Sequence, residues 1–268
     1  MTSRAAQFVG SIPEHYHQHL VPAVFEPYAD DLGARLRVAP GDVVLEVACG
    51  TGVLTRLLVP RLQGARLVAT DLNENMIEVA RRIVGDNPHL TWRVADGTAL
   101  PFDEAMFEAV VCQFGVMFYP DKLQGMREAR RVLRPKGAFL FNVWDDFSRN
   151  AFGRIAHETI TRLFPVDPPK FYLTPFGFND QSAIRGLLSD AGFRDVKIEQ
   201  VVKDLLSPSA RDLAAGVVRG NPVYIDIMDR ATIEPAEVEE AVASALAREG
   251  GEAPFRSTMS ALVVRAEA

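Results

Sequence analysis

The 268-residue sequence predicts an α/β fold, a mostly parallel sheet with helices on both faces. Three observations predict it. Short apolar runs alternate with helix-period runs between residues 43 and 145, and such alternation packs as a parallel sheet covered on both sides. Three of the apolar runs carry an acid at or near their end, Glu46, Asp71 and Asp96. Parallel sheets bind ligands at the carboxyl ends of their strands, so the three acids are aimed at one crevice. The first run also passes straight into a small-residue loop, Ala48-Cys49-Gly50-Thr51-Gly52.

Residues 1–12 read as frayed, and 14–38 as one or two helices. Leu20, Val24, Phe25, Tyr28, Leu32 and Leu36 recur there at near-helical spacing, with Pro22 and Pro27 expected to break or kink the run. A strand at 43–48 precedes the glycine loop, and Val53, Leu54, Leu57 and Leu58 start a helix over 52–62. Such a unit brings backbone N–H groups close to a ligand at a helix N-terminus. Glu46 qualifies the ligand, because a carboxylate there repels phosphate and favours a cation.

A strand at 66–70 ends in Asp71, 19 residues past Gly52. That is near the spacing at which an acid reaches ribose hydroxyls, although the position before a helix also suits an N-cap. A helix at 74–84 and a strand at 90–94 follow, the latter ending in the turn Asp96-Gly97-Thr98. Next come a strand at 107–112, a helix at 122–134 and a strand at 137–144. Residues 181–191 form a helix stopped by Gly192, and 193–202 and 259–265 supply closing strands.

Two segments lie outside the sheet. Residues 146–180 hold an amphipathic helix and then 164–178, with five aromatics and four prolines in fifteen residues. Residues 205–255 contain helices around 209–217 and 235–249. The expected organisation is therefore an N-terminal helical lid (1–40), a core (41–146), a cap insertion (147–180), a core helix and strand (181–204), a second cap insertion (205–256) and a closing core strand (257–268).

At 48% hydrophobic and 24% charged, the chain suits one large domain or a domain with a cap. A net charge of -6 argues against broad nucleic-acid binding. Cys49 and Cys112 are too few for a disulfide framework and are expected as buried thiols. There is no basic segment followed by an apolar signal core and no apolar run of about 18 residues. A cytoplasmic monomer or homodimer without a membrane span is expected.

The runs VLEVACGTG (44–52), ATDLNENMIEVA (69–80), VADGTALPF (94–102), FEAVVCQFGVMFYPDK (107–122) and REARRVLRPKGAFLFNVWD (127–145) occur in an order specific to one family. The chain resembles the class I S-adenosylmethionine-dependent methyltransferases, and most closely their ubiquinone/menaquinone-biosynthesis-like branch, of the methyltransferase domain type 11. Ala48 departs from that pattern, which often has Gly there. The resemblance implies a Rossmann-like sheet of seven strands, the last antiparallel, with an inserted helical lid. S-adenosylmethionine is the implied cofactor, and a small, aromatic or apolar molecule the implied methyl acceptor.

The same resemblance implies site roles. Asp71 would accept from the ribose, Leu72 and Met76 would flank the adenine, and Asp96 with Gly97 and Thr98 would read its edge. Glu46 would face the ammonium, directly or through water, and Ala48, Gly50, Thr51 and Gly52 would be the cofactor-binding residues of the loop. Gln113 and Phe114 would lie beside the methionine part and the reactive methyl, with Gln113 accepting from the ammonium and Phe114 also walling the acceptor pocket. Tyr16, Phe118, Phe171, Tyr172 and Phe176 are candidates for the acceptor pocket; an aromatic, proline-rich segment suits an apolar ring, and equally suits a cap pinned to a core. No catalytic residue can be assigned, and Tyr16, His17 and His157 are only weak candidates. No metal-ligand cluster is evident, His15 and His19 lacking further partners. Two other functions fit less well. A non-catalytic cofactor binder would keep the acids. A nicotinamide-dependent dehydrogenase would need a third loop glycine where Thr55 stands.

Overall fold

The computed structural model describes residues 4–268. Seven strands form one sheet: β1 (Val43–Val47), β2 (Arg66–Asp71), β3 (Leu90–Val94), β4 (Phe107–Gln113), β5 (Leu133–Trp144), β6 (Arg194–Ser207) and β7 (Phe255–Glu267), in the order β3-β2-β1-β4-β5-β7-β6. The first five run parallel, and β7 is antiparallel to both β5 and β6. β1 and β4 are almost wholly buried, as strands covered on both faces must be. The chain winds outward from β1 through β2 to β3, then returns to place β4 on the other side of β1. This reversal opens a crevice at the strand ends, where β1, β2, β3 and β4 release Ala48, Asp71, Ala95 and Phe114.

α1 (Ile12–His15) runs into a wider helical segment, Tyr16–Phe25, and then α2 (Glu26–Arg35). The expected break at Pro22 does not occur. The segment is wound as a π-helix, with the Glu26 N–H bonded to the Val21 carbonyl five residues back, and it carries Pro22 inside it. Pro27 sits in the first turn of α2, where a missing N–H costs little. α3 (Val53–Leu58) is shorter than expected, because Pro60 tightens the chain into a 3₁₀ turn at Val59–Arg61. α4 (Glu74–Val84) ends at Gly85 with φ 75°.

α5 (Lys122–Val132) starts at Asp121, whose side chain caps the Gln124 N–H, and stops two residues early, where β5 begins. Beyond the sheet lie α6 (Ala151–Leu163), α7 (Gln181–Asp190), α8 (Ala210–Arg219), α9 (Val223–Arg230) and α10 (Pro235–Gly250). α9 has no counterpart among the expected helices. Both closing strands run longer than expected, since they pair with each other from Arg194–Glu267 to Ser207–Phe255.

α8 packs on both the π-helical segment and α10. The N-terminal helices are not laid over the sheet as a separate layer: Leu20, Val24, Tyr28 and Leu32 are buried in the same apolar cluster as the sheet. The Tyr28 hydroxyl fixes them, donating to the carbonyls of Met259 (2.9 Å) and Val201 (3.1 Å). Residues 4–12 are not loose either, since the Ala6 carbonyl accepts from Asn73 Nδ2 at 3.0 Å. The expectation for residues 1–3 lies outside the described residues. Cys49 and Cys112 are buried and free.

Candidate active site

A cavity of about 440 Å³ lies against the carboxyl ends of β1, β2, β3 and β4. Its polar half is built by the strand ends. Asp71 is 6% exposed and on the wall. One of its oxygens accepts from the Gly50 N–H at 2.9 Å and the other from the Asn73 N–H at 2.8 Å. Burial raises its pKa, opposed by those two N–H groups. Asn73 Nδ2 donates to the second of these oxygens as well, at 3.4 Å; a carboxylate has about four acceptor sites, so these three bonds leave about one free. Gly50, at φ +56°, lines the wall, and a Cβ there would meet nothing within 4 Å.

Met76 and Leu72 line the cavity beside Asp71. At the end of β3 the Asp96 carboxylate accepts from the Thr98 N–H (2.8 Å) and hydroxyl (2.7 Å). This turn must run close to Tyr119, because a Cβ on Gly97 would fall 2.6 Å from the Tyr119 hydroxyl. Gln113, ending β4, is 9% exposed. Its Nε2 donates to the Phe25 carbonyl at 2.8 Å, while Oε1 is buried without a partner.

The other half is aromatic. Phe114 is held at φ +51°, its N–H donating to Asn142 Oδ1 at 2.9 Å. Its ring stacks on Trp144 at 4.0 Å, and Trp144 stacks in turn on Phe176 at 5.8 Å. Tyr16 stacks on Phe25 at 4.7 Å, and Phe118 on Phe171 at 6.2 Å. The Tyr172 hydroxyl donates to the Val217 carbonyl at 2.6 Å, which ties the cap segment to α8. Burial raises the pKa of Tyr16 and Tyr172. Among the described residues lining the cavity there is no His, Lys, Arg or Glu.

The cavity thus gathers Ala48, Gly50, Asp71, Leu72, Met76, Asp96, Gly97, Thr98, Gln113 and Phe114 with Tyr16, Phe118, Phe171, Tyr172 and Phe176. It does not gather five other candidates. Glu46 is 1% exposed and off the wall, its carboxylate accepting from the Thr55 hydroxyl at 2.7 Å. It points from the strand into the base of α3, and burial pushes its pKa up to about 8. Thr51 is turned toward the N-terminal segment, its hydroxyl 3.1 Å from His17 Nδ1. Gly52 faces Ala80 and Val84 of α4. His17 is occupied with Thr51, and His157 stacks on Phe147 at 5.5 Å outside the cavity. Burial lowers the pKa of both histidines.

Several wall residues escaped the sequence reading. Phe8 meets the edges of Tyr16 and Phe118, within a stretch expected to be frayed. Leu20, Val24 and Phe25 carried a helical signal that reads equally as core. Asn73, Tyr119, Trp144, Phe152 and Asn221 had none pointing to a site.

The residues present fit S-adenosylmethionine. Asp71 keeps an acceptor site for a diol hydroxyl, Gly50 leaves open space at the loop, and Gln113 Oε1 is a buried acceptor lacking a donor. The strand order and this site define a class I methyltransferase. Residues 44–137 match the family described as "Methyltransferase domain". The ubiquinone/menaquinone biosynthesis C-methyltransferase UbiE of Caulobacter vibrioides is 30% identical over 190 residues, 63% of this chain and 74% of that protein. A demethylmenaquinone methyltransferase of Staphylococcus epidermidis is 27% identical over 172 residues, 60% of this chain and 71% of that protein. In fold, the chain is similar to a Haemonchus contortus phosphoethanolamine N-methyltransferase 2 in complex with S-adenosyl-L-methionine. The TM-score is 0.64 at 14% identity, over 100% of this chain and 60% of that one. The chain belongs to the class I S-adenosylmethionine-dependent methyltransferases, in their ubiquinone/menaquinone-biosynthesis-like branch. Its cofactor is S-adenosylmethionine, and the dehydrogenase alternative falls. No helix of the described residues is long and apolar enough to cross a membrane.

Proposed function

We propose that the protein transfers a methyl group to a small, apolar, ring-bearing acceptor such as a quinone-like molecule. The observation that carries this reading is the junction of the polar strand-end half of the cavity with a wall of Phe114, Trp144, Tyr16, Phe118 and Phe176. Aromatic faces stack on flat rings and bury a large apolar area. The quinone chemistry printed in the names of the Caulobacter and Staphylococcus relatives supports the same class.

Bound S-adenosylmethionine would supply a sulfonium methyl, which an acceptor takes by in-line displacement. The chain's own residues would bind and orient. Asp71 would accept from the ribose hydroxyls while fixing the loop through the Gly50 N–H. Leu72 and Met76 would flank the adenine, and Asp96, Gly97 and Thr98 would meet its edge. Gly50 and Ala48 would let the loop approach the methionine part, and Phe114 would stand between it and the acceptor. Glu46, Thr51 and Gly52 would shape the loop from behind. Holding the partners in line in a dry cavity supplies several kcal/mol, up to about 7–11 in ideal cases. Neither His17 nor His157 is among the described residues that line the cavity, so we give neither a role as base, and Tyr16 would act as a wall. The Tyr16–Phe25 segment and the caps at 147–180 and 205–256 would form the roof, which admits the acceptor and excludes water.

Calorimetry with S-adenosylhomocysteine and NAD tests the site. The wild type should bind the first and not the second. Asp71→Asn should weaken S-adenosylhomocysteine about tenfold or more, the loss expected for charge-assisted bonds. Unchanged affinity would remove Asp71 from the ribose. A methyl-transfer screen of quinols, phenols and aromatic amines then tests the acceptor class; turnover confined to polar acceptors would overturn it.

A further inference from the structure

The aromatic wall of the cavity has a direction. Phe114, just past the end of β4, stacks on Trp144 at 4.0 Å, Trp144 on Phe176 at 5.8 Å, and Phe176 on Tyr172 at 6.4 Å. The planes of each pair lie within 28° of parallel. A flat ring can rest along such a ladder with apolar faces throughout. One end of the ladder stands at the strand ends, where the cofactor is placed. The other end carries a hydroxyl, on Tyr172, and beside it an amide, on Asn221.

Asn221 sits in the joint between α8 and α9, where its carbonyl accepts from the Tyr224 N–H at 3.0 Å. Its side chain is 9% exposed and part of the cavity wall. Nδ2 donates to the Val217 carbonyl at 3.3 Å, a long bond to a group that the Tyr172 hydroxyl already serves at 2.6 Å. Capping this last turn of α8 therefore does not need the amide. No described residue donates to Oδ1, which, unlike Gln113 Oε1, is not sealed from solvent. The charged side chains among the described wall residues are Asp71 and Asp96, both at the strand ends. An ionic substituent at the Asn221 end would be buried without a partner, at high cost. A neutral O–H donor matches what that end offers.

We propose that Asn221 is a specificity-determining residue: its Oδ1 accepts from a neutral ring hydroxyl of the acceptor, at the end of the aromatic ladder away from the cofactor. The acceptor is then a hydroxylated ring, a phenol or a quinol, held by one oxygen and presented to the methyl at another position. Tyr172 positions the amide by sharing the Val217 carbonyl with it. The inference rests on the ring-bearing acceptor proposed above.

The test uses 2-naphthol and 2-methylnaphthalene, rings of the same shape with and without a hydroxyl. Their affinities for the full chain loaded with S-adenosylhomocysteine are taken by calorimetry. The ratio of the two is compared between wild type and variants, which cancels their different hydrophobicity. N221L should lower the preference for 2-naphthol by about tenfold, chiefly by weakening 2-naphthol. N221D gives up the bond to Val217 but keeps an acceptor oxygen, so it should hold or raise the preference. An unchanged ratio in N221L would overturn the assignment. So would a preference lost in N221D as fully as in N221L, which would make the amide a cap of α8 and nothing more. Should N221L not fold, N221D decides alone, between a preference kept and a preference lost. A wild type that binds neither naphthalene would sink the ring-bearing acceptor itself, a separate outcome.

Discussion

Ala48 stands where the glycine loop leaves β1, with φ at +57°. A left-handed backbone costs a residue with a Cβ about 1–2 kcal/mol. Glycine escapes that cost and loses about 0.5–1 kcal/mol in chain entropy instead. Ala48→Gly is therefore expected to stabilise the protein by about 0.5–1 kcal/mol in urea unfolding. A destabilised variant would mean that packing of the Ala48 methyl near Gly115 outweighs the strain. Asp71 is expected as a ribose binder or as an N-cap; the N-cap of α4 is Asn73, and the Asp71 carboxylate instead ties the glycine loop to the turn before that helix. One oxygen accepts from Asn73 at the start of α4, and the other from Gly50. The place of Glu46 in the sequence suggests a cleft acid, but its side chain leaves the strand on the α3 side and bonds Thr55.

Among the elements, the N-terminal helices depart furthest from expectation. Their apolar spacing was legible, but the consequence of Pro22 was not: Pro can break a helix, kink it or, as here, sit within a wider winding that continues past it. α2 is then bolted to the far end of the sheet by Tyr28, fully buried and donating to carbonyls on β6 and β7. Tyr28→Phe should lower stability by about 1 kcal/mol in urea unfolding, the net worth of one such bond. No change would mean that the ring alone holds the helix. The strand ends were easier. Asp71 and the 66–70 run were legible because a buried parallel strand must be apolar and its ligand-facing end need not be. β6 and β7 were read short, since their length comes from pairing with each other across the 47 residues that separate them, 208–254, and no local signal reports a distant partner.

For the whole molecule, the buried acids set a pH dependence. Glu46 ordinarily titrates near 4.5, and burial raises it to about 8. Between these values the folded chain keeps a proton that the unfolded chain has lost. The contribution is thus complete below about pH 4.5 and fades as pH rises through about 8, at up to about 1.4 kcal/mol per pH unit. Glu46→Gln should flatten the decline in urea midpoint between pH 5 and pH 8. Parallel profiles for variant and wild type would show that Glu46 is already ionised in the fold.

By itself the sequence determined the sheet, the glycine loop and the acids near three strand ends, because each rests on a local rule of spacing or of burial on two faces. Tertiary structure decided which of those acids reaches the cavity, since a side chain's direction depends on what packs against its strand. It also decided the aromatic wall. Phe8, Phe25, Trp144 and Phe176 come from four distant segments, and apolar residues carry the same sequence signal whether they face a core or a ligand.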